Sequence, residues 1–330
     1  MKKLSLCLAL IVMTALLSAE ATAAKIVLKA GSAWPKTSPN VVDLHKYIEL
    51  VNARAKGEVE LQWAGGPELV KAANLLDAAA AGTVDIAQAD PSYYAGIVKE
   101  TGIMGLPVIN WGWDKQIEIQ NALKPKLDKI YQDRAGVKLL LNQGMQRFYI
   151  VTGKVAVGKL EDLKGLKLRA GGGLMSATVT SLGAVPVNIP SEEVYMALQT
   201  GVVQGAFRGT ASLISFKEYE HLHYLVNVPT YGVAHIWIGM NSWKKLSPTQ
   251  QKVLLDSARE IEQWSVGYYA DLDTKGKSFL AEKGMTIRNL VPAEEARWRQ
   301  ALAKGATEWY LKQGGAAGQE LLDIVLRYKR

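Results

Sequence analysis

Cysteine is almost missing from this chain: the one residue, Cys7, lies in the apolar stretch near its start. Beyond residue 24, disulfides, thiolate catalysis and cysteine-ligated metals are therefore excluded. A chain of 330 residues has no need of covalent staples, because the buried fraction rises with size. Histidine is also scarce, with only His45, His221, His223 and His235. The segment Glu218-Tyr-Glu-His221-Leu-His223 crowds possible ligands together, but no His-Glu-x-x-His spacing occurs, and it reads as a polar loop before a strand over 225–228. No Gly-x-Ser-x-Gly elbow is present, and no phosphate-loop lysine follows Gly171-Gly-Gly173. The paired acids Glu192 and Glu193 sit at a helix start, where the backbone dipole accounts for them. These absences argue against an enzyme, and no cofactor or metal is expected. Lysine and arginine are scattered rather than blocked, so no nucleic-acid partner is indicated. After the opening stretch, no apolar run is long enough to span a bilayer.

The opening stretch itself has three parts: Lys2 and Lys3, an apolar run from Leu4 to Leu17, and the small residues Ala21-Thr22-Ala23-Ala24. That is the layout of a cleavable secretory signal, with cleavage expected after Ala23 and Ala24 as the neighbouring alternative. Leu6 precedes Cys7 and the run continues past it, which argues against a lipid anchor. Removing 23 of 330 residues leaves 307, enough for two domains. The formal charge of +8 loses Lys2, Lys3 and Glu20 and becomes +7. A mildly basic exported protein suits small anions.

The remainder alternates strand and helix. Strands are expected over 25–31, 58–63 and 84–89, with helices over 40–55 and 70–81 between them, and again over 138–142, 148–152, 166–169 and 202–207. The alternation predicts an α/β protein with a largely parallel sheet, whose ligand sits at the carboxyl ends of the strands. Residues 191–199 read as a helix capped by Ser191. Ser247, Pro248 and Gln250 form the start signature of a helix running to about Lys283. At 1.5 Å per residue it is about 50 Å long, the span of a strut across two lobes. Residues 292–330 read as two helices around Gly314-Gly315.

Two arginines stand at predicted strand ends. Leu163-Lys-Gly-Leu-Lys-Leu-Arg169 is followed at once by Gly171-Gly172-Gly173, and Val202-Val-Gln-Gly-Ala-Phe207-Arg208 brings the second. A guanidinium grips a carboxylate with a planar fork and keeps its charge. Glycines beside it leave room for a ligand and expose backbone N–H groups. Ordinary surface pairing is the plain alternative for either arginine.

The stretch Leu163 to Arg169, then Leu182-Gly-Ala-Val-Pro-Val-Asn-Ile-Pro190, then Glu193-Val-Tyr-Met-Ala-Leu-Gln-Thr-Gly-Val-Val203, resembles the signature of the DctP family. These are the substrate-binding proteins of tripartite ATP-independent periplasmic (TRAP) transporters. The likeness runs over essentially the whole exported chain. It implies a two-lobed periplasmic binding protein fold with a cleft between the lobes and a domain-bridging helix. The division implied is a first lobe of 25–148 plus about 233–262, and a second of 149–232 plus about 263–330, after a signal peptide over 1–23.

Carried over by position, Arg169 matches the arginine that holds the ligand carboxylate. Arg208 falls where the family's sialic-acid binders place an asparagine, which would add a second charge and argues against sialic acid. Gln204 replaces a common aspartate. Arg147 lies on a strand that carries another pocket arginine in some members. Asp90 and Tyr93 align with ligand-contacting positions, and Trp34 belongs to a turn at the cleft mouth. Gly172, Phe207 and Trp237 complete the expected binding set. With Tyr94, Trp111, Trp113 and Phe148 also near the cleft, the expected ligand is a dicarboxylate or an aromatic or apolar carboxylate. The resemblance further implies small and large TRAP membrane subunits as partners. The binding protein of an ATP-driven importer and an extracytoplasmic sensor are the alternatives.

Overall fold

A computed structural model describes residues 25–108 and 112–328. The signal reading over 1–23 and the aromatic Trp111 fall outside the described residues. In chain order the elements are β1 (Ile26–Ser32), α1 (Val42–Arg54), β2 (Val59–Gly65), α2 (Leu75–Ala81), β3 (Ile86–Ala89), α3 (Trp113–Ala135) and β4 (Val137–Thr152). Then come β5 (Lys167–Ala170), α4 (Gly173–Ser181), β6 (Val185–Asn188), α5 (Val194–Gln199), β7 (Gly205–Gly209), α6 (Thr210–Ser215) and β8 (Tyr224–Gly239). The chain closes with α7 (Met240–Trp243), α8 (Pro248–Glu282), β9 (Thr286–Arg288) and α9 (Pro292–Leu326).

The strands form one sheet in the order β2-β1-β3-β8-β4-β7-β5-β6, with β9 added to β8. Two strands of 16 residues, β4 and β8, run side by side through its middle, pairing from Val137 opposite Gly239 to Thr152 opposite Tyr224. At about 3.3 Å per residue each is long enough to serve both halves of the molecule. One end of the pair, with Leu140, Leu141, Ile236 and Ile238, shares a core with Leu28, Leu44 and Leu61. The other end is buried twice over: Ile150 and Val226 join Leu168 and Trp298, while Val151 and Leu225 join Val194, Leu213 and Leu280. Two lobes result, and a further cluster runs across them, with Leu174, Ala306 and Tyr310 packed together with Leu75, Ile103 and Trp237.

The sheet differs from the sequence expectation in two respects. The strands expected over 138–142 and 148–152 are one strand, because polar Gln146 and register shifts at Gly144/Arg147 and Phe148/Ile150 interrupt the apolar pattern where the chain passes between cores. The sheet is also mixed rather than largely parallel. Pairs β1–β2, β1–β3, β5–β6, β5–β7 and β8–β9 are parallel, whereas β3–β8, β4–β8 and β4–β7 are antiparallel. Adjacent parallel strands need a crossover that returns to the same end; β4 leads out of the first lobe and β8 leads back, so this pair has to be antiparallel.

Helix α8 begins as its sequence dictates, with the Ser247 hydroxyl accepting from Gln250 N and the Gln250 side chain accepting from Ser247 N. Its first half lies against α1, where Tyr47 donates to the Leu254 carbonyl at 3.2 Å. Its second half meets the other lobe: Tyr149 donates to Asp273 at 2.8 Å, and a side chain at Gly276 would come within 2.8 Å of Thr210. This is the expected bridging strut. Helix α9 is two helices joined at Gly315, where φ is 54°. Before the joint, Trp298 and Leu302 enter the second lobe's core; after it, Leu321, Leu322 and Val325 pack with α3 residues Ile119, Leu123 and Leu127, and Glu320 pairs with Lys126.

Candidate functional site

Strand β5 is four residues long and tied on both sides, to β6 and to β7. Leu168 and Ala170 face cores, which leaves Arg169 between them pointing toward the crevice. The Arg169 side chain is only 3% exposed. Its Nε donates to the Ile189 carbonyl at 2.9 Å and its Nη2 to Ser191 Oγ at 3.4 Å. Among the described residues no carboxylate forms an ion pair with it, and its Nη1 group is left uncommitted. Burial, followed by the charge of nearby Arg208, pushes its pKa down to about 10, so it remains a cation at neutral pH. The glycine beside it leaves the guanidinium its place: a Cβ at Gly171 would stand 2.9 Å from Arg169 Nη2.

Around this guanidinium lies a partly open pocket, with about 420 Å³ of space between its walls and the solvent. One lobe contributes Trp34, Asn40, Asp90 and Tyr93; the other contributes Arg169, Gly171, Met175, Ser191, Arg208 and Ser212, with Gln146 and Phe148 from β4. An adjoining cavity of about 430 Å³ shares Asp90, Met175 and Val233 and extends toward Thr101, Phe207 and Tyr231. Outward, Trp34, Tyr93, Arg169, Gly172 and Glu192 border an open groove of about 1380 Å³. Asp90 is held as the cap of the 3₁₀ turn Pro91–Tyr94, accepting from Ser92 N at 2.8 Å. Burial raises its pKa, while its hydrogen bonds and the charge of Arg169 pull the other way. Burial, then the Asp90 charge, raises that of the Tyr93 hydroxyl.

Gln146 fastens the two walls. Its Nε2 donates to Asn40 Oδ1 at 3.2 Å on one side and to Ser212 Oγ at 3.3 Å on the other. Ser191 joins the two arginines, since its hydroxyl oxygen accepts from Arg169 Nη2 and from Arg208 Nη1, the latter at 2.9 Å. With both lone pairs taken, its own proton has to point elsewhere.

Arg169, Trp34, Asp90 and Tyr93 therefore come together, with Gly172 in the groove outside and Phe207 in the adjoining cavity, its ring 5.8 Å from Phe148. Three expectations need correction. Arg208 does reach the cavity wall, but not as a free charge: its Nε donates to Glu218 at 2.9 Å and its Nη2 at 2.6 Å, with Glu218 fully buried. Arg147 does not line the Arg169 cavity. Its strand neighbours Gln146 and Phe148 do, so alternation turns Arg147 the other way, over the rings of Trp113 at 4.8 Å and Tyr231 at 5.9 Å. Trp237 is wholly buried in the first lobe's core, against the rings of Tyr94 and Tyr131 at 5.6 and 5.3 Å.

Sequence reasoning passed over Gln146, Asn40, Ser212 and the role of Ser191. No capping bond is made by Ser191; the segment Ser191–Glu193 is a 3₁₀ turn preceded by Pro190, and the hydroxyl serves the arginines instead. The available signal was its place just after the β6 edge, beside the strand end that carries Arg169.

Comparison with known proteins agrees with this architecture. The profile of bacterial extracellular solute-binding protein family 7 (DctP) matches residues 30–313. The chain belongs to this family, whose members are solute-binding receptors rather than enzymes. The C4-dicarboxylate-binding periplasmic protein DctP of Rhodobacter capsulatus is 25% identical over 301 residues, 87% of each chain. Two solved structures share the fold. The TRAP periplasmic solute-binding protein of Desulfovibrio salexigens with bound orotic acid has a TM-score of 0.85 at 22% identity, covering 92% of this chain and 98% of that one. DctP7 of Bordetella pertussis, an extracytoplasmic solute receptor binding pyroglutamic acid, has a TM-score of 0.82 at 21% identity, covering 90% and 98%.

Proposed function

We propose that this protein is a periplasmic receptor that captures a small organic acid on Arg169, closes its lobes around it, and delivers it to the small and large membrane subunits of a TRAP-type transporter. The observation that carries the reading is the Arg169 guanidinium, buried between two lobes with donors to spare and, among the described residues, no ion pair. Arg169 Nη1 and the Ser191 hydroxyl supply donors on one side of the cavity, and Trp34, Phe148 and Met175 supply apolar wall. Orotic and pyroglutamic acids, bound by two relatives of the same fold, are both compact ring acids.

The energetics require both kinds of contact. Hydrogen bonds to a charged group contribute about 1.5–3 kcal/mol each, and micromolar binding needs about 8 kcal/mol. At about 25 cal/mol per Å², roughly 150 Å² of buried apolar ligand surface adds about 4 kcal/mol. A bare carboxylate is therefore a poor ligand, and a carboxylate on a compact carbon skeleton a good one.

Lobe motion is part of the proposal. The division into 25–148 plus about 233–262 and 149–232 plus about 263–330 puts both boundaries inside β4 and β8, next to the register shifts, with the stretch after Gly315 moving with the first lobe. The Gln146 bonds to Asn40 and Ser212 would then form on closure, and closure follows because the ligand adds contacts available only in that state. The test is a thermal-shift panel of organic acids, including pyroglutamate, orotate and C4 acids, against sugars and polyamines. Acids alone should raise the melting temperature; a shift with sugars or polyamines alone would overturn the reading.

A further inference from the structure

We propose that Glu218 acts as a built-in second carboxylate, occupying the fork of Arg208 so that the cavity accepts acids with one carboxylate and turns away dicarboxylates. The inference rests on the acid-binding reading above and names the ligand class of that same site.

Three observations carry it. First, the charged side chains lining the cavity are Asp90, Arg169 and Arg208. The Arg208–Glu218 pair is complete, with Nε 2.9 Å from Oε2 and 3.1 Å from Oε1, and Nη2 2.6 Å from Oε1. It sums to no net charge, which leaves Arg169, among the described residues, as the lining cation without an ion pair. A second ligand carboxylate would meet Asp90 and no free guanidinium, and an unpaired buried charge is strongly unfavourable. Second, the donors of Arg208 beyond that pair are engaged too, all but one Nη1 hydrogen: Nη1 reaches Ser191 Oγ at 2.9 Å and Nη2 also reaches the Ser191 carbonyl at 3.2 Å. Arg208 therefore works through Ser191, which it holds beside Arg169. Third, the chain bends specially to deliver Glu218. Lys217, the residue before it, has a φ of 55°, a left-handed conformation unfavourable for a lysine, and Glu218 then enters the interior with no exposure. The polar segment Glu218–His223, which resembles a metal loop in sequence, thus has a use at the pocket: its first acid neutralises the pocket's second arginine.

The test is calorimetric titration of the intact protein with matched pairs of acids: butanoate and succinate, cyclopentanecarboxylate and cyclopentane-1,2-dicarboxylate, benzoate and phthalate. In each pair that binds, the monoacid should bind at least tenfold more tightly than its diacid. Glu218→Gln should shift that ratio at least tenfold toward the diacid, while Glu218→Asp, which keeps the charge, should preserve the monoacid preference. Should Glu218→Gln fail to fold, the ratios of the wild-type protein decide alone. Diacids bound as tightly as monoacids, or a ratio unmoved in folded Glu218→Gln, would overturn the inference and leave acid binding intact. Failure of every acid, pyroglutamate and orotate included, to bind the wild-type protein would remove both readings.

Discussion

Arg169 and Arg208 lie on neighbouring strands of one sheet, β5 and β7, and are buried to nearly the same degree, 3% and 2% exposed. Both touch the same serine. Yet one carries a permanent counter-ion and the other does not. A buried ion pair is weak as a source of stability but costly to break from one side, because the survivor is left charged and dry. A buried cation without a partner is the reverse case: it costs the fold desolvation and keeps its donors for whatever anion arrives. The same side chain is structural on one strand and available for binding on the next.

Replacing each arginine in turn breaks the comparison most directly. Arg208→Met strands Glu218 and should destabilise the protein by about 3–5 kcal/mol, seen as a clear fall in melting temperature. Arg169→Met removes a desolvated charge that makes no ion pair and feels Glu218 and Asp90 only from beyond contact, so the melting temperature should fall far less than in Arg208→Met. The same substitution should weaken acid binding at least 100-fold, measured by calorimetry. Equal thermal losses in the two variants would show that Arg169 is paired after all.

A carboxylate without a cation extends the contrast to the opposite sign. Asp43, on α1, is fully buried, and its partners are all neutral: Leu44 N at 2.8 Å, Gln88 Nε2 at 2.6 Å and Tyr269 Oη at 3.2 Å. Burial outweighs these bonds and raises its pKa from 3.8 to about 7. The folded state therefore binds a proton more tightly than the unfolded chain does. The stability this contributes is complete below about pH 4 and is lost as pH rises through about 7, with a slope of up to about 1.4 kcal/mol per pH unit. Denaturant unfolding across pH 4 to 8 should show that decline, and Asp43→Asn should flatten it.

Much of this arrangement is legible in the sequence, and the illegible parts have physical causes. Helix α8 was readable to within a residue because its start rests on local chemistry, Ser247 and Gln250 closing on each other. The place of Arg169 on β5 beside the glycines was readable because a strand end followed by glycines is a local pattern too. The partner of Arg208 was not, since Glu218 lies ten positions on and turns inward only through the left-handed backbone at Lys217. Strand β4 was hidden where its polar Gln146 faces the crevice, and α3 by Pro125 in its interior, a residue that argues against a helix. What the sequence conceals is what depends on two distant segments meeting.

Gly171→Ala probes the arginine through space rather than charge. The added Cβ would stand 2.9 Å from Nη2 and 3.1 Å from Nη1 of Arg169, closer than such contacts allow. The guanidinium is the far end of a flexible chain, so it should yield while the strand stays. A tenfold loss of acid affinity with little change in melting temperature is the expected result. An unchanged affinity would mean that the cavity holds its ligand away from this end of the side chain.

Ser191→Ala is the gentlest version of the same question, because it leaves both charges in place and removes only the oxygen between them. Arg208 keeps Glu218 and the Ser191 carbonyl, and Arg169 keeps Ile189, so neither guanidinium is set loose. What is lost is one donor to a ligand carboxylate and the tether at Arg169 Nη2, together about 1–2 kcal/mol. Acid affinity should fall about five- to thirtyfold with the monoacid preference intact. A collapse of that preference would assign the discrimination to the serine and not to the buried acid behind Arg208.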